Sequence, residues 1–102
     1  NQQMAFYAIY CADSADGTRL RKEHHDGHMK HIGQNINQLM LGGPCPPMEG
    51  QEREASFLVV EAADAAAAQA MVENDPFHAA GVWDSVIVRE FKPVVGAWAP
   101  KG

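Results

Sequence analysis

Four of the five histidines in this chain fall within eight residues, His24 to His31. Histidine is the side chain whose ordinary charge change lies nearest neutral pH, so such a cluster points to proton transfer or to metal ligation. At about 100° of rotation per residue, His24, His28, His31 and Asn35 recur at i, i+4, i+7 and i+11 of a helix. They make a polar stripe. Met29, Ile32, Ile36, Leu39 and Met40 make an apolar stripe beside it, which the pattern directs toward a core. Three readings of the histidine edge stand together. His24 and His28 are spaced as a chelating pair with His31 as a third ligand. A half-buried histidine there is a general base. A polar helix flank needs no chemistry at all. No glutamate follows His24, so the H-E-x-x-H zinc pattern is absent, and no metal is assigned.

The other candidates are fewer. Asp75 precedes Pro76, an ordinary arrangement for a helix cap. It is also a carboxylate that the fold brings to the helical side of the sheet near His28, where it would fix the imidazole tautomer. Cys45 lies in a proline-rich segment with no nearby charge to lower its pKa, which reads as a spectator thiol. Gly42-Gly43-Pro44 lacks a phosphate-loop pattern but offers backbone N–H groups to line a pocket. Phe6, Phe77 and Trp83 are core residues or the apolar wall of that pocket.

The elements that must position these residues follow from pattern. Met4–Cys11 is aromatic and apolar without Gly or Pro, and reads as a strand. Thr18 is the expected cap of a helix from about Arg19 to Met40. Gly27 and Gly33 inside it imply a tight helix-to-sheet contact, and Gly27 beside His28 would also leave room for a ligand. Leu39 to Leu41 begins a short strand that breaks at the segment Gly42 to Pro47, which is expected to be irregular. Ala55–Glu61 is a second clear strand. Asp64 caps an alanine-rich helix over 65–73, and Pro76 to Ala80 forms one helical turn closed by Gly81 in the left-handed region. Trp83–Phe91 is the last strand.

The resulting order, β-α-β-β-α-β, is an α+β, ferredoxin-like antiparallel sheet with two helices on one face. The strands are apolar on both faces, so the uncovered face calls for a second copy of the chain, a homodimer. Residues 4–95 form the domain and 96–102 a tail bearing Trp98. Asn1–Gln3 precede Met4, the apparent natural start, and are set aside as an added remnant.

The chain has 102 residues, length for one core. Eight Lys and Arg against 13 Asp and Glu give a net charge of −5, no footprint for nucleic acid or an anionic membrane surface. No apolar run approaches the ~20 residues that span a bilayer. Cys11 and Cys45 form neither a C-x-x-C pair nor a disulfide framework. A cytoplasmic protein is expected.

His25-x-x-His28-x-x-His31-Ile32, then Gly42-Gly43-Pro44, then Asp75-Pro76-Phe77-x-x-Ala80-Gly81-Val82, then Phe91-Lys92-Pro93-Val94 together resemble the YCII (YciI-like) family. The resemblance spans Met4 to about Val95. It implies a dimeric α/β barrel of two ferredoxin-like subunits and a His–Asp pair in a cleft, which falls on His28 and Asp75. The family's histidine run usually opens with arginine. Here that position is His25, which implies either a different substrate or Arg21 as the substitute cation. The resemblance further implies a cofactor-free enzyme that removes HCl from a chlorinated hydroxyquinol or muconolactone ring, with His24, His31, Arg21, Gly43, Pro44 and Phe77 about the substrate. A ligand-binding or accessory module and a lactone isomerase are the alternatives.

Overall fold

The computed structural model describes residues 3–101; Asn1 and Gln2, from the expected remnant, and Gly102, the last residue of the tail, lie outside the described residues. Four strands, β1 (Ala5–Asp13), β2 (Leu39–Cys45), β3 (Ala55–Ala62) and β4 (Trp83–Phe91), form one sheet in the order β2-β3-β1-β4. The three pairings are antiparallel. Between β1 and β2 run α1 (Gly17–Glu23) and α2 (His25–Gln34). Between β3 and β4 run α3 (Ala65–Glu73) and α4 (Pro76–Ala80). The α+β architecture with a four-stranded antiparallel sheet is the expected one.

Strand alternation sorts the core. Tyr7, Ile9 and Cys11 of β1 are buried and pack with Val60, Ala68, Val72, Phe77 and Val82. The alanines of α3 let it lie close to the sheet, and Asp64 caps it by accepting from the Ala67 N–H at 2.8 Å. On the opposite face Tyr10, Phe57, Ile87 and Phe91 remain exposed.

Several local expectations are corrected. The long helix is two helices broken at His24, whose φ of −110° and ψ of 14° leave the helical region. Thr18 is not the cap: Asp16 holds that position, without a side-chain cap bond. The apolar stripe is not one helical face: α2 ends at Gln34, Leu39 and Met40 fall in β2, Leu39 packs against the core, and Met29, Ile36 and Met40 are exposed. Periodicity places residues on a face but does not say what covers that face. Gly42–Pro44 is not irregular. It belongs to β2, which pairs only with β3, and proline is tolerated on such an edge. A Cβ on Gly27 would meet the Pro76 ring at 3.3 Å, so the close approach there is helix to helix; Gly33 has nothing within 4 Å. Gly81 does close α4 in the left-handed region, at φ 81°.

Candidate active site

A cleft of about 730 Å³ opens between the helices and the β2–β3 edge of the sheet. His28 enters it from α2 and Asp75 from the turn that starts α4. His28 Nδ1–H donates to Asp75 Oδ2 at 2.7 Å, while Asp75 Oδ1 accepts from the Phe77 backbone N–H at 2.9 Å. One carboxylate therefore serves as helix cap and imidazole partner at once. The Asp75 side chain is 5% exposed and that of His28 is 19% exposed. With Nδ1 committed, Nε2 is the nitrogen left to accept a proton from a ligand. The His28 ring stacks on Phe77, centroids 3.9 Å apart and planes within 3°. Trp83 meets Phe77 edge-on at 5.8 Å. The histidine is thus held by one hydrogen bond and one flat contact, and few rotamers satisfy both.

A second cluster lies in the same cleft. Arg21 of α1 donates from Nε and Nη2 to the two carboxylate oxygens of Asp13 at 2.8 and 2.7 Å, and from Nη2 to Ser56 Oγ at 2.9 Å. Its guanidinium carbon sits 5.5 Å from the Phe77 ring centre. Burial works against the Arg21 charge, but the hydrogen bonds and charge of Asp13, then the charge of Glu54, outweigh it and raise the pKa above its ordinary value. The β1–β4 register shifts between Ala12 and Asp13, so that Asp13 pairs with Trp83. Such bulges re-aim a side chain, and here Asp13 is buried beneath the helices. A Cβ on Gly17 would strike the Asp13 carboxylate, so only glycine fits at the start of α1.

Of the residues expected about a substrate, Arg21, Gly43, Pro44 and Phe77 line the cleft beside His28 and Asp75; His24 and His31 do not. His31 Nε2–H donates to the Met71 carbonyl at 2.8 Å and ties α2 to α3. His24, at the helix break, is half-exposed, with Nε2 4.0 Å from Glu23. Pattern reading missed Asp13, Ser56 and Lys22, the last two of which line the cleft, and gave no role to His25, which lines it as well. A polar Asp13 ending an apolar strand was the available signal; Ser56 inside an apolar strand was another. No group of three His, Cys, Asp or Glu side chains among the described residues converges as a metal site.

The YCII-related domain pattern matches residues 5–92. Protein YciI of Escherichia coli O6:H1 is 32% identical over 95 residues, covering 86% of this chain and 97% of that protein. An uncharacterized protein of Haemophilus influenzae is 30% identical over 97 residues, covering 87% and 98%. Among solved structures, 5-chloro-2-hydroxyhydroquinone dehydrochlorinase from Burkholderia phenoliruptrix AC1100, in complex with 2,5-dihydroxybenzoquinone, superposes with a TM-score of 0.75 at 27% identity, covering 85% of this chain and 93% of that one. An uncharacterized Thermotoga maritima protein shares the fold at a TM-score of 0.52 and 16% identity, covering 88% and 100%.

Proposed function

This chain belongs to the YCII-related domain family, and from that premise we propose that it is a cofactor-free acid–base enzyme that removes HCl from a chlorinated hydroxyquinol or muconolactone ring. The observation that carries the reading is the 2.7 Å contact between His28 and the buried Asp75 inside a cleft. The similarity to a dehydrochlorinase supports the reaction class.

A hydroxyquinol ring would lose HCl in two proton steps. His28 Nε2 takes the proton of a ring hydroxyl, and Asp75 stabilises the resulting imidazolium. The proton returns to the carbon that bears chlorine, which becomes tetrahedral while the oxygen becomes a ketone. A second ring hydroxyl then loses its proton. Its electron pair moves through the adjacent C=C bond, and the C–Cl pair leaves with chloride. The sum is one H⁺ and one Cl⁻ lost and a quinone formed, with no external oxidant.

In the same reading two copies pair through the exposed sheet face as a homodimer, and the protein works in the cytoplasm, where Cys11 and Cys45 stay as free thiols. A lactone isomerase would use the same proton steps without loss of chloride. A binding module would use neither. The test is chloride release, followed with a selective electrode, from a panel of chlorinated hydroxyquinols and muconolactones. Release matched by formation of the dechlorinated ring supports the reading. A ring product without chloride points to the isomerase, and no turnover across the panel overturns an enzymatic reading of these substrates.

A further inference from the structure

We infer that Arg21 and Ser56, held in place by Asp13, form an oxyanion-binding subsite that grips an ionised oxygen on a small ring. The inference deepens the proposed function and rests on its reading of the cleft as a site for oxygenated rings. It comes from counting donors. An arginine has five N–H groups and no acceptor. Nε–H and one Nη2–H go to Asp13, and the other Nη2–H goes to Ser56. Both N–H groups of Nη1 have no hydrogen-bond partner among the described residues; the nearest carboxylate oxygen, on Glu54, is 3.9 Å away. Ser56 Oγ accepts from Arg21, so its own hydroxyl proton remains to be donated. Arg21 and Ser56 both line the cleft with His28.

The construction of this corner is costly unless it is used. The Asp13 side chain is 1% exposed and that of Arg21 15%. A buried ion pair is no general source of stability, because desolvation offsets the attraction. Among the described residues Asp13 carries no other side-chain donor than Arg21, and Gly17 is kept bare to admit it. Together they fix the plane of the guanidinium while leaving one edge open. That is the arrangement of a preorganised donor set for a negative oxygen. Lys22 lines the same cleft and brings a second cation to it, alongside the carboxylates of Asp26 and Glu54. A ring with its ionised oxygen on this corner keeps its remaining hydroxyl or carbon acid for His28, so binding and proton transfer fall to separate groups. The oxygen is either a phenolate-type ring oxygen or a ring carboxylate.

Isothermal titration calorimetry separates these sources and needs no turnover. The probes are 2,5-dihydroxybenzoquinone and benzoate, with 2,5-dimethoxybenzoquinone and methyl benzoate as shape-matched neutral controls. The wild-type protein is expected to bind at least one anion and neither control. Whichever anion binds identifies the oxygen. Ser56→Ala and the paired variant D13N/R21Q, which removes both buried charges together, should each weaken anion binding by about tenfold or more, the loss expected for charge-assisted hydrogen bonds. Circular dichroism melts establish that each variant is folded, and Arg21→Lys serves if the paired variant is not. Equal binding of anion and neutral control, no binding of either anion at millimolar concentration, or unchanged affinity in folded Ser56→Ala and arginine variants would overturn the subsite. Loss of binding in those variants with no chloride release from the wild type sinks the reaction and leaves the subsite standing. Chloride release with unchanged KM in D13N/R21Q does the reverse.

Discussion

Asp75 does two jobs with two oxygens, and asparagine is the substitution that separates them. In Asp75→Asn the amide oxygen can keep the Phe77 N–H, so the cap of α4 survives. The amide NH₂ then faces His28 Nδ1 and makes that nitrogen an acceptor. The ring proton moves to Nε2, the wrong place for a base. The expected outcome is a folded protein with a severe loss of kcat. His28→Ala should cost on the order of 10²-fold or more, and the double variant should be little worse than either single one because the pair acts as a unit. Full activity in folded Asp75→Asn would return Asp75 to a purely structural role. The two thiols offer a second prediction. Burial, with smaller contributions from Asp75 and Asp13 against Arg21, pushes Cys11 up to about 12. The folded state therefore holds the thiol proton at a pH where the unfolded chain has lost it. Stability should fall as pH rises from about 9 toward 12, and Cys11→Ala should flatten that slope in denaturant titrations. In the native protein at neutral pH a thiol reagent should label Cys45 and spare Cys11.

Helix and strand ends do most of the positioning. The break at His24 divides the histidine run so that α1 delivers Arg21 and α2 delivers His28 to one cleft from two axes. The bulge at Asp13 turns the end of β1 toward α1. Gly17 then sits against the Asp13 carboxylate. Gly17→Ala should overpack this joint and destabilise the protein by about 1–3 kcal/mol, measured by chemical denaturation, and should weaken anion binding as well. Gly33→Ala, with open space around it, should stabilise the helix by up to ~1 kcal/mol. If the two alanine variants behaved alike, the close contact at Gly17 would carry no special weight.

One face of the sheet is covered by the helices and the other is not. Tyr10, Phe57, Ile87 and Phe91 are 38% to 53% exposed along that open face. The tail adds Val94, Val95 and Trp98, each about 80% exposed. Exposed apolar side chains in this number are what the proposed pairing would cover. In the proposed homodimer, light scattering at micromolar concentration should report twice the chain mass, and Ile87→Asp should shift it to monomer with a lower and concentration-dependent Tm. A stable, folded wild-type monomer would refute the pairing. Among the described residues no helix is long and apolar enough to cross a membrane.

Strands β1, β3 and β4, the alanine helix and its Asp64 cap, the left-handed Gly81 and the antiparallel order were legible in the sequence because each rests on a local rule of period, cap or turn. The pairing of His28 with Asp75, 47 residues apart, was legible only once the fold placed both on the helical side of the sheet and the motif resemblance singled them out, since no periodicity links them. The helix break, the strand through Gly42–Pro44 and the exposure of Met29 and Ile36 were not legible. Each depends on what lies beside the segment rather than on its own pattern. The same holds for the histidine stripe: equal spacing made His24, His28 and His31 look equivalent. Tertiary packing gave one to the cleft, one to the Met71 carbonyl and one to the helix break. Arg21, Asp13 and Ser56 come from a helix and two strands and meet only when the sheet closes, because long-range contacts are set by burial and register, which no short stretch of chain contains.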